Sequence, residues 1–475
     1  MKNRFLAGIS LAMFAPAVAQ TSTPNIVVIL ADDMGWTALS ERMDKNNPDS
    51  RSDYYQTPNL NRILNKGMRF SSGYAAAHVS SPTRHSIQTG MTPARINHYM
   101  VGQNTSHINY ATLFSIPKMI KAANPAYVCA HFGKWHLDCD PTVVGYDQTT
   151  GDGRNPDGDK GIEIKDPNGN PGKNAKDTWL YVNLGPDPKS IFSLTDISIK
   201  FIEEQKASGR PFYLQLSHYA THKELVSTPQ SYARFNGLPR GEKHKLAQYA
   251  AMLWDMDVSI GKLLDRLEQL GLMENTYIFF TTDNGGVPFF PPNSPDKELK
   301  NGMGDNSPLR RGKWDLTEGG VRVPFFVSGP GIKPGSQCDY PVISYDLLPT
   351  FAQIVGYKKP MPDNLDGISF LPSLQGKKQD YNRPLYFHAP YITGPGLPHP
   401  QSAIRIGDYK VLKYLDNDQL LLFNLRKDLG ELNDLSASDP KRTKEMGAKL
   451  DAYLKSVNAA KYSEMKDVKG AQKND

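Results

Sequence analysis

Short apolar runs punctuate this chain. Five of them, at residues 25–31 (NIVVILA), 127–131, 211–216 (PFYLQL), 276–281 (TYIFFT) and 323–328 (VPFFVS), are hydrophobic at successive positions and not only at alternate ones. Strands buried on both faces have that pattern. Between the runs the apolar period lengthens. Over 245–270, Tyr249, Leu253, Met256, Ile260, Leu263, Leu264, Leu267 and Leu270 recur at helical spacing, and Gly271 stands as a stop. Strands alternating with helices predict an α/β fold on a large, mostly parallel, mixed sheet flanked by helices.

The ends of these runs are unusually polar. Asp32-Asp33, Lys134 with His136, His218 with His222, and Asp283-Asn284 each follow a predicted strand. Open α/β sheets bind ligands beyond the carboxyl ends of their strands, so four distant segments are expected to meet at one edge. From about residue 341 the texture changes to one helix at 345–355, a Pro-containing stretch at 358–372, strand-like pieces at 384–387, 403–412 and 420–424, and a helical pattern at 441–457. That predicts a smaller C-terminal α+β domain with a short antiparallel sheet, giving a catalytic domain over 20–340 and a second domain over 341–475. The Gly/Asp/Asn/Pro-rich stretch at 149–176 is a long loop, either a substrate-facing insertion or a surface excursion.

Composition narrows the class. The chain has 475 residues, 39% hydrophobic and 22% charged, which is ordinary for a folded protein. Lys2 and Arg4 precede an apolar run at 5–18 that closes on Ala17-Val18-Ala19, the pattern of a cleaved secretory signal over residues 1–19. That run is shorter than the roughly 20 residues that span a bilayer, no cysteine near the cut could take a lipid, and no later stretch is long and apolar enough. An exported chain without a membrane anchor, periplasmic or secreted, is expected. Loss of Lys2 and Arg4 lowers the formal charge from +6 to +4. Opposite charges alternate with no basic block among aromatics, which argues against a nucleic-acid partner. Three cysteines (Cys129, Cys139, Cys338) are too few for a disulfide framework, and their odd number leaves at least one thiol free.

Asp32, Asp33, Asp283 and Asn284 are all oxygen donors, suited to a hard cation such as Ca²⁺ or Mg²⁺ and poorly suited to Zn²⁺. A lone Asp-Asp reads as a cap or turn. Two such pairs on two strand ends point to a metal. Ser80 of Ser80-Ser81-Pro82-Thr83-Arg84 is expected just before the N-terminus of a predicted helix, where free N–H groups and the dipole favour an anion, although read alone the stretch is an N-cap and that reading prevails.

The same residues carry a resemblance. Ser80-Ser81-Pro82-Thr83-Arg84 with Thr89-Gly90 resembles the type I sulfatase motif of Cys or Ser, any residue, Pro, any residue, Arg, then Thr-Gly. It stands in order with NIVVILADDMGW (25–36), HFGKWHL (131–137), TTDNGG (281–286), LRRGKWDLTEGGVRVP (309–324), AIRIGDYKVL and LFNLRKDLGELNDL. The chain is thereby similar to formylglycine-dependent sulfatases of the alkaline phosphatase superfamily, in their bacterial serine form, and the resemblance implies an alkaline-phosphatase-like fold. It further implies conversion of Ser80 to Cα-formylglycine (3-oxoalanine) by a maturase acting before export. The hydrated aldehyde is then the nucleophile, and its second hydroxyl lets it expel sulfate, which a plain alcohol cannot do.

The resemblance assigns the remaining roles as well. A cation, Ca²⁺ or alternatively Mg²⁺, is held by Asp32, Asp33, Asp283 and Asn284 with the oxygen of residue 80. Arg84 stabilises the ionised gem-diol, and Lys134 and Lys313 neutralise sulfate oxygens. His136 takes a proton in the elimination step, and His222 protonates the leaving alcohol. His222 sits in HYATHKELVSTP, with Lys223-Glu224 where the family usually has Thr-Pro after its His. His218 is left to contact substrate or satisfy a buried turn, Glu318 and Arg322 to form a structural ion pair, and His388, Lys297 and Lys300 as candidate substrate contacts. The expected activity is hydrolysis of a sulfate ester on a sulfated carbohydrate. The alternatives are a formylglycine-dependent phosphodiesterase or phosphonate monoester hydrolase, and an unmodified, non-catalytic binder of sulfated glycans.

Overall fold

The structure, a computed structural model, describes residues 23–159, 183–288, 305–392 and 399–465. The expected signal at 1–19, most of the 149–176 loop, and Lys297 and Lys300 lie outside the described residues.

The larger sheet has eight strands: β1 (Asn25–Ala31), β2 (Met68–Phe70), β3 (Val128–Gly133), β4 (Gln148–Thr149), β5 (Phe212–Ser217), β6 (Thr276–Thr282), β7 (Phe326–Ser328) and β8 (Ser336–Cys338). Their order is β8-β2-β7-β6-β1-β5-β3-β4. The four strands expected to bear chemistry, β6, β1, β5 and β3, are contiguous and parallel, with Ile29 of β1 opposite Leu216 on one side and Phe280 on the other. The fifth apolar run differs. It shortens to β7 and runs antiparallel to both its neighbours. Residues 305–322, which precede it, lie at the carboxyl edge beside Asp33 and Gly286, so the chain crosses the sheet from there in the opposite sense.

Successive residues of a strand face opposite sides, and β1 supplies both faces. Val27 and Ile29 pack with helices Ile191–Ser208 and Ala247–Gln269, through Phe201, Met256 and Ile260. Ile26, Val28 and Leu30 pack on the other face with Phe279, with helix Ile116–Ala123 through Met119 and Ile120, and with helix Leu347–Ile354 through Phe351. This last helix belongs to the large core although it follows residue 341. Helix Ala247–Gln269 matches the periodicity at 245–270, and Gly271 takes the left-handed conformation (φ 64°) just beyond it.

The smaller sheet is an antiparallel meander of β9 (Pro384–Ala389), β10 (Gln401–Ile406), β11 (Tyr409–Tyr414) and β12 (Leu420–Asn424). The single piece expected at 403–412 is a hairpin that turns at Gly407 and Asp408. One face packs Leu385, Phe387, Ala403 and Leu412 on Tyr74, Leu316 and Tyr345. The other packs Ile404, Val411 and Leu422 on Met446 and Leu450 of helix Pro440–Ser456. A buried ionic lattice joins the two sheets. Glu318 meets Arg322 (2.6 Å) and Lys410 (3.0 Å), and Lys410 also meets Glu431 (2.9 Å).

Candidate active site

Asp32-Asp33, Asp283-Asn284, Lys134 with His136, and His218 with His222 leave β1, β6, β3 and β5 at one edge, where the sequence puts them. Strand alternation would send adjacent side chains to opposite faces. Asp33 breaks it with a left-handed backbone (φ 55°), as does His136 (φ 62°). One oxygen each from Asp32, Asp33 and Asp283 can lie within 4.8 Å of the others, and all three residues are buried. Asn284 donates from Nδ2 to Asp33 Oδ1 (2.6 Å) and turns its Oδ1 toward Ser80 (3.4 Å).

Ser80 is the first residue of helix Ser80–Thr89, not the residue before it, and extended Val79 is the cap. Its hydroxyl is therefore not spent on capping. It lies 3.3 Å from Asp32 Oδ1 and 3.3 Å from Lys134 Nζ. Arg84, one turn on along the same helix face, donates from Nε to Asp283 Oδ2 (2.9 Å) and from Nη1 to the Lys134 carbonyl (2.6 Å), and its Nη2 lies in ion-pair contact with Asp283 Oδ2 (2.7 Å).

Lys134 is fully buried and donates to Asp32 Oδ2. Only glycine fits before it, because a Cβ at Gly133 (φ 98°) would fall 1.9 Å from the Ser217 carbonyl. Lys313 Nζ sits 2.9 Å from Asp33 Oδ2 and 3.3 Å from His222 Nε2. The Lys223 carbonyl facing His222 Nδ1 can only accept, so Nδ1 carries the proton and Nε2 receives the Lys313 ammonium. His222 thus stands in the site despite the altered residues after it.

Crowding sets the charges. Burial and then Asp283 push Asp32 up to about 7. Burial works in the same direction on Asp283, but Arg84 and Lys134 outweigh it and hold that group at about 2. Burial, then Lys134 and Arg84, keep His136 well below the usual imidazole range, and burial with Lys313 does the same to His222. Both imidazoles are neutral. His136 Nδ1 has no hydrogen-bond partner among the described residues. Its backbone N–H and that of Trp135 donate to the Gly153 carbonyl (3.0 and 2.8 Å), so the first part of the 149–176 loop lies against the site.

Other expectations fall elsewhere. His218 is buried with neither ring nitrogen partnered among the described residues, and burial takes it down to about 4. His388 is buried, with Ser402 (2.7 Å) and the Ala460 carbonyl (2.8 Å) engaging both its nitrogens beside the smaller sheet. Glu318 and Arg322 do pair. Cys129, Cys139 and Cys338 are all free. No described helix is long and apolar enough to cross a membrane. Two buried polar side chains beside the site escaped the sequence, His78, which meets the Tyr391 hydroxyl (3.0 Å), and Asn306. Neither stands in a motif or at a strand end, so no spacing signalled them.

The donors fit a hard cation. They are all oxygen, and bonds of about 2.3–2.6 Å could reach three atoms so close together.

Comparison with known proteins agrees with this arrangement. The family description "Sulfatase" matches residues 24–357, and "N-sulphoglucosamine sulphohydrolase, C-terminal" matches 312–460. A protein named "Sulfatase" from Formosa agariphila is 28% identical over 94% of this chain and 93% of its own length. The mouse N-acetylgalactosamine-6-sulfatase is 30% identical over 83% of this chain and 72% of its own. The crystal structure of Ps i-CgsB in complex with k-i-k-neocarrahexaose shares the fold, with a TM-score of 0.71 at 24% identity over 91% of this chain and 93% of that one. A family description that runs through all four central strands, helix Ser80–Thr89 and the Lys313 segment, with a relative of 30% identity over most of both chains, makes this protein a member of the sulfatase family, a sulfuric ester hydrolase.

Proposed function

We propose that the protein removes sulfate from a sulfated carbohydrate after export, by way of a formylglycine made from Ser80. The observation that carries this reading is the meeting of the Ser80 hydroxyl, three carboxylates and the Lys134 and Lys313 ammonium groups at one buried point. A sugar substrate is supported by relatives named for sulfated-sugar substrates and by the secretory pattern at the N-terminus.

Asp32, Asp33, Asp283 and Asn284 would hold a divalent cation, Ca²⁺ or Mg²⁺, which supplies Lewis acidity toward sulfate and residue 80. Formylglycine at 80 supplies a nucleophile that can release sulfate without hydrolysis of an alkyl ester. The rest falls to the chain. The charges of Asp32, Asp33 and Asp283 are matched by Arg84, Lys134 and Lys313, so a bound divalent ion leaves a net positive pocket that draws in the anionic ester. Lys134 and Lys313 meet charge growing on the sulfate oxygens, and Arg84 meets charge on the nucleophile. Neutral His136 can accept a proton. His222 Nε2 and Lys313 Nζ, 3.3 Å apart, hold between them the proton that the leaving alcohol needs.

The test has two arms. Mass spectrometry of the Ser80 peptide from the native host should show loss of two hydrogens, whereas intact serine throughout would favour a glycan binder. The matured enzyme should hydrolyse nitrophenyl sulfate faster than nitrophenyl phosphate or its diester and should desulfate defined sulfated sugars. A large preference for the diester would favour phosphodiester or phosphonate chemistry.

A further inference from the structure

We propose that Asn306 is a positioning residue for Lys313, acting through the carbonyls of Gly286 and Arg311; this rests on the role given to Lys313 above. Asn306 is buried, and its Nδ2 lies 3.2 Å from the Gly286 carbonyl, 3.1 Å from that of Gly319 and 3.4 Å from that of Arg311. Carbonyls only accept, so the amide must turn its NH₂ toward them. The Gly286 carbonyl also accepts the backbone N–H of Lys313 (2.9 Å). One oxygen is therefore held from two sides, by the Asn306 side chain and by the main chain of Lys313, and Gly286 lies two residues from Asn284.

The segment needs such a clamp. Arg311 (φ 55°) and Trp314 (φ 73°) flank Lys313 in left-handed backbone. For residues other than glycine such backbone is unfavourable, and it persists only where the surroundings enforce it. The far end of the amide is closely enclosed, although its Oδ1 has no hydrogen-bond partner among the described residues. A Cβ at Gly35, two residues past Asp33, would fall 2.1 Å from Asn306 Oδ1, and a Cβ at Gly312 would fall 3.0 Å from Nδ2. Asn306 thus stands where the segments carrying Asp33, Asn284 and Lys313 converge, and it donates to two of them.

Asn306→Asp preserves shape but turns a carboxylate toward three carbonyls. It should lower kcat on nitrophenyl sulfate about 10- to 100-fold, as misplacement of a reacting group by about an ångström does. In a Lys313→Ala background, followed at high enzyme concentration, the same change should cost less than about 3-fold, because coupled residues do not add. Asn306→Ala should behave likewise. Three results overturn the proposal: a loss undiminished in the Lys313→Ala background, a loss cured by excess Ca²⁺, or near-normal kcat in both Asn306 variants. If neither variant folds, the amide is structural and the proposal also falls. Normal turnover in Lys313→Ala alone would instead sink the role of Lys313, so the two failures are distinguishable.

Discussion

The molecule buries two dense groups of charge, and they are built on opposite plans. At the catalytic edge Asp32, Asp33 and Asp283 bring oxygens within 4.8 Å of one another, while Arg84, Lys134 and Lys313 approach from outside. Between the two sheets Lys410 separates Glu318 from Glu431, and Arg322 and Tyr74 take the other oxygen of Glu318. In the joint each carboxylate faces a cation, although burial still raises Glu431 to about 7. At the edge three carboxylates converge, and burial with Asp283 raises Asp32 to about 7. Buried like charges that crowd together mark a place for a ligand; buried charges that alternate mark a joint.

Removing divalent cations breaks this contrast most severely. Chelation should abolish turnover, Ca²⁺ or Mg²⁺ should restore it, and thermal unfolding of the joint between the sheets should shift little. Activity unchanged after exhaustive chelation would sink the metal reading of Asp32, Asp33, Asp283 and Asn284. Next in size is Lys134→Ala, which should lower kcat on a small sulfate ester by about 10²–10³-fold, as loss of one preorganised electrostatic contact does, with far-ultraviolet circular dichroism unchanged. Near-normal turnover would remove Lys134 from its role.

The joint should answer in stability. Lys410→Met removes the cation that Glu318 and Glu431 share, leaving Glu318 to Arg322 and Tyr74, and should cost about 3–5 kcal/mol in denaturant unfolding, while the folded fraction keeps its specific activity. Loss of activity without loss of stability would mean that the two charge groups are not independent. The smallest effect is in pH. Burial raises Glu431 to about 7, above its ordinary 4.5. Folded protein therefore holds a proton that unfolded chain releases in that window. This contribution to stability is present below about pH 4.5 and is lost as pH rises toward and through 7. Glu431→Gln should flatten that stretch of the profile; an unaltered slope would mean that Glu431 is already ionised in the folded state.

The joint was the less legible of the two groups. Glu318 and Arg322 stand four residues apart within a motif, so their pairing could be read locally, but Lys410 and Glu431, although they stand in the stretches AIRIGDYKVL and LFNLRKDLGELNDL, lie about a hundred residues away and nothing there says that they meet Glu318. The catalytic edge was legible because strand ends are local features, and an apolar run followed by Asp-Asp or Asp-Asn declares both the strand and the exit. The same logic failed for β7, whose apolar run does not encode direction, and for 403–412, where the turn at Gly407 interrupts one run into two strands. His388 stands beside a loop, and nothing local shows that both its nitrogens are engaged.

By itself the sequence determined the four central strands, the polar residues at their ends and a helix beginning beside Ser80, since each follows from hydrophobic period and local backbone preference. Only the tertiary structure decided which carboxylates converge, which proton His222 keeps, where Asn306 reaches and how Lys410 stands between two glutamates. Those outcomes depend on atoms brought within a few ångströms across up to 280 residues of chain, as with Lys313 and Asp33, and no local preference carries information over that separation.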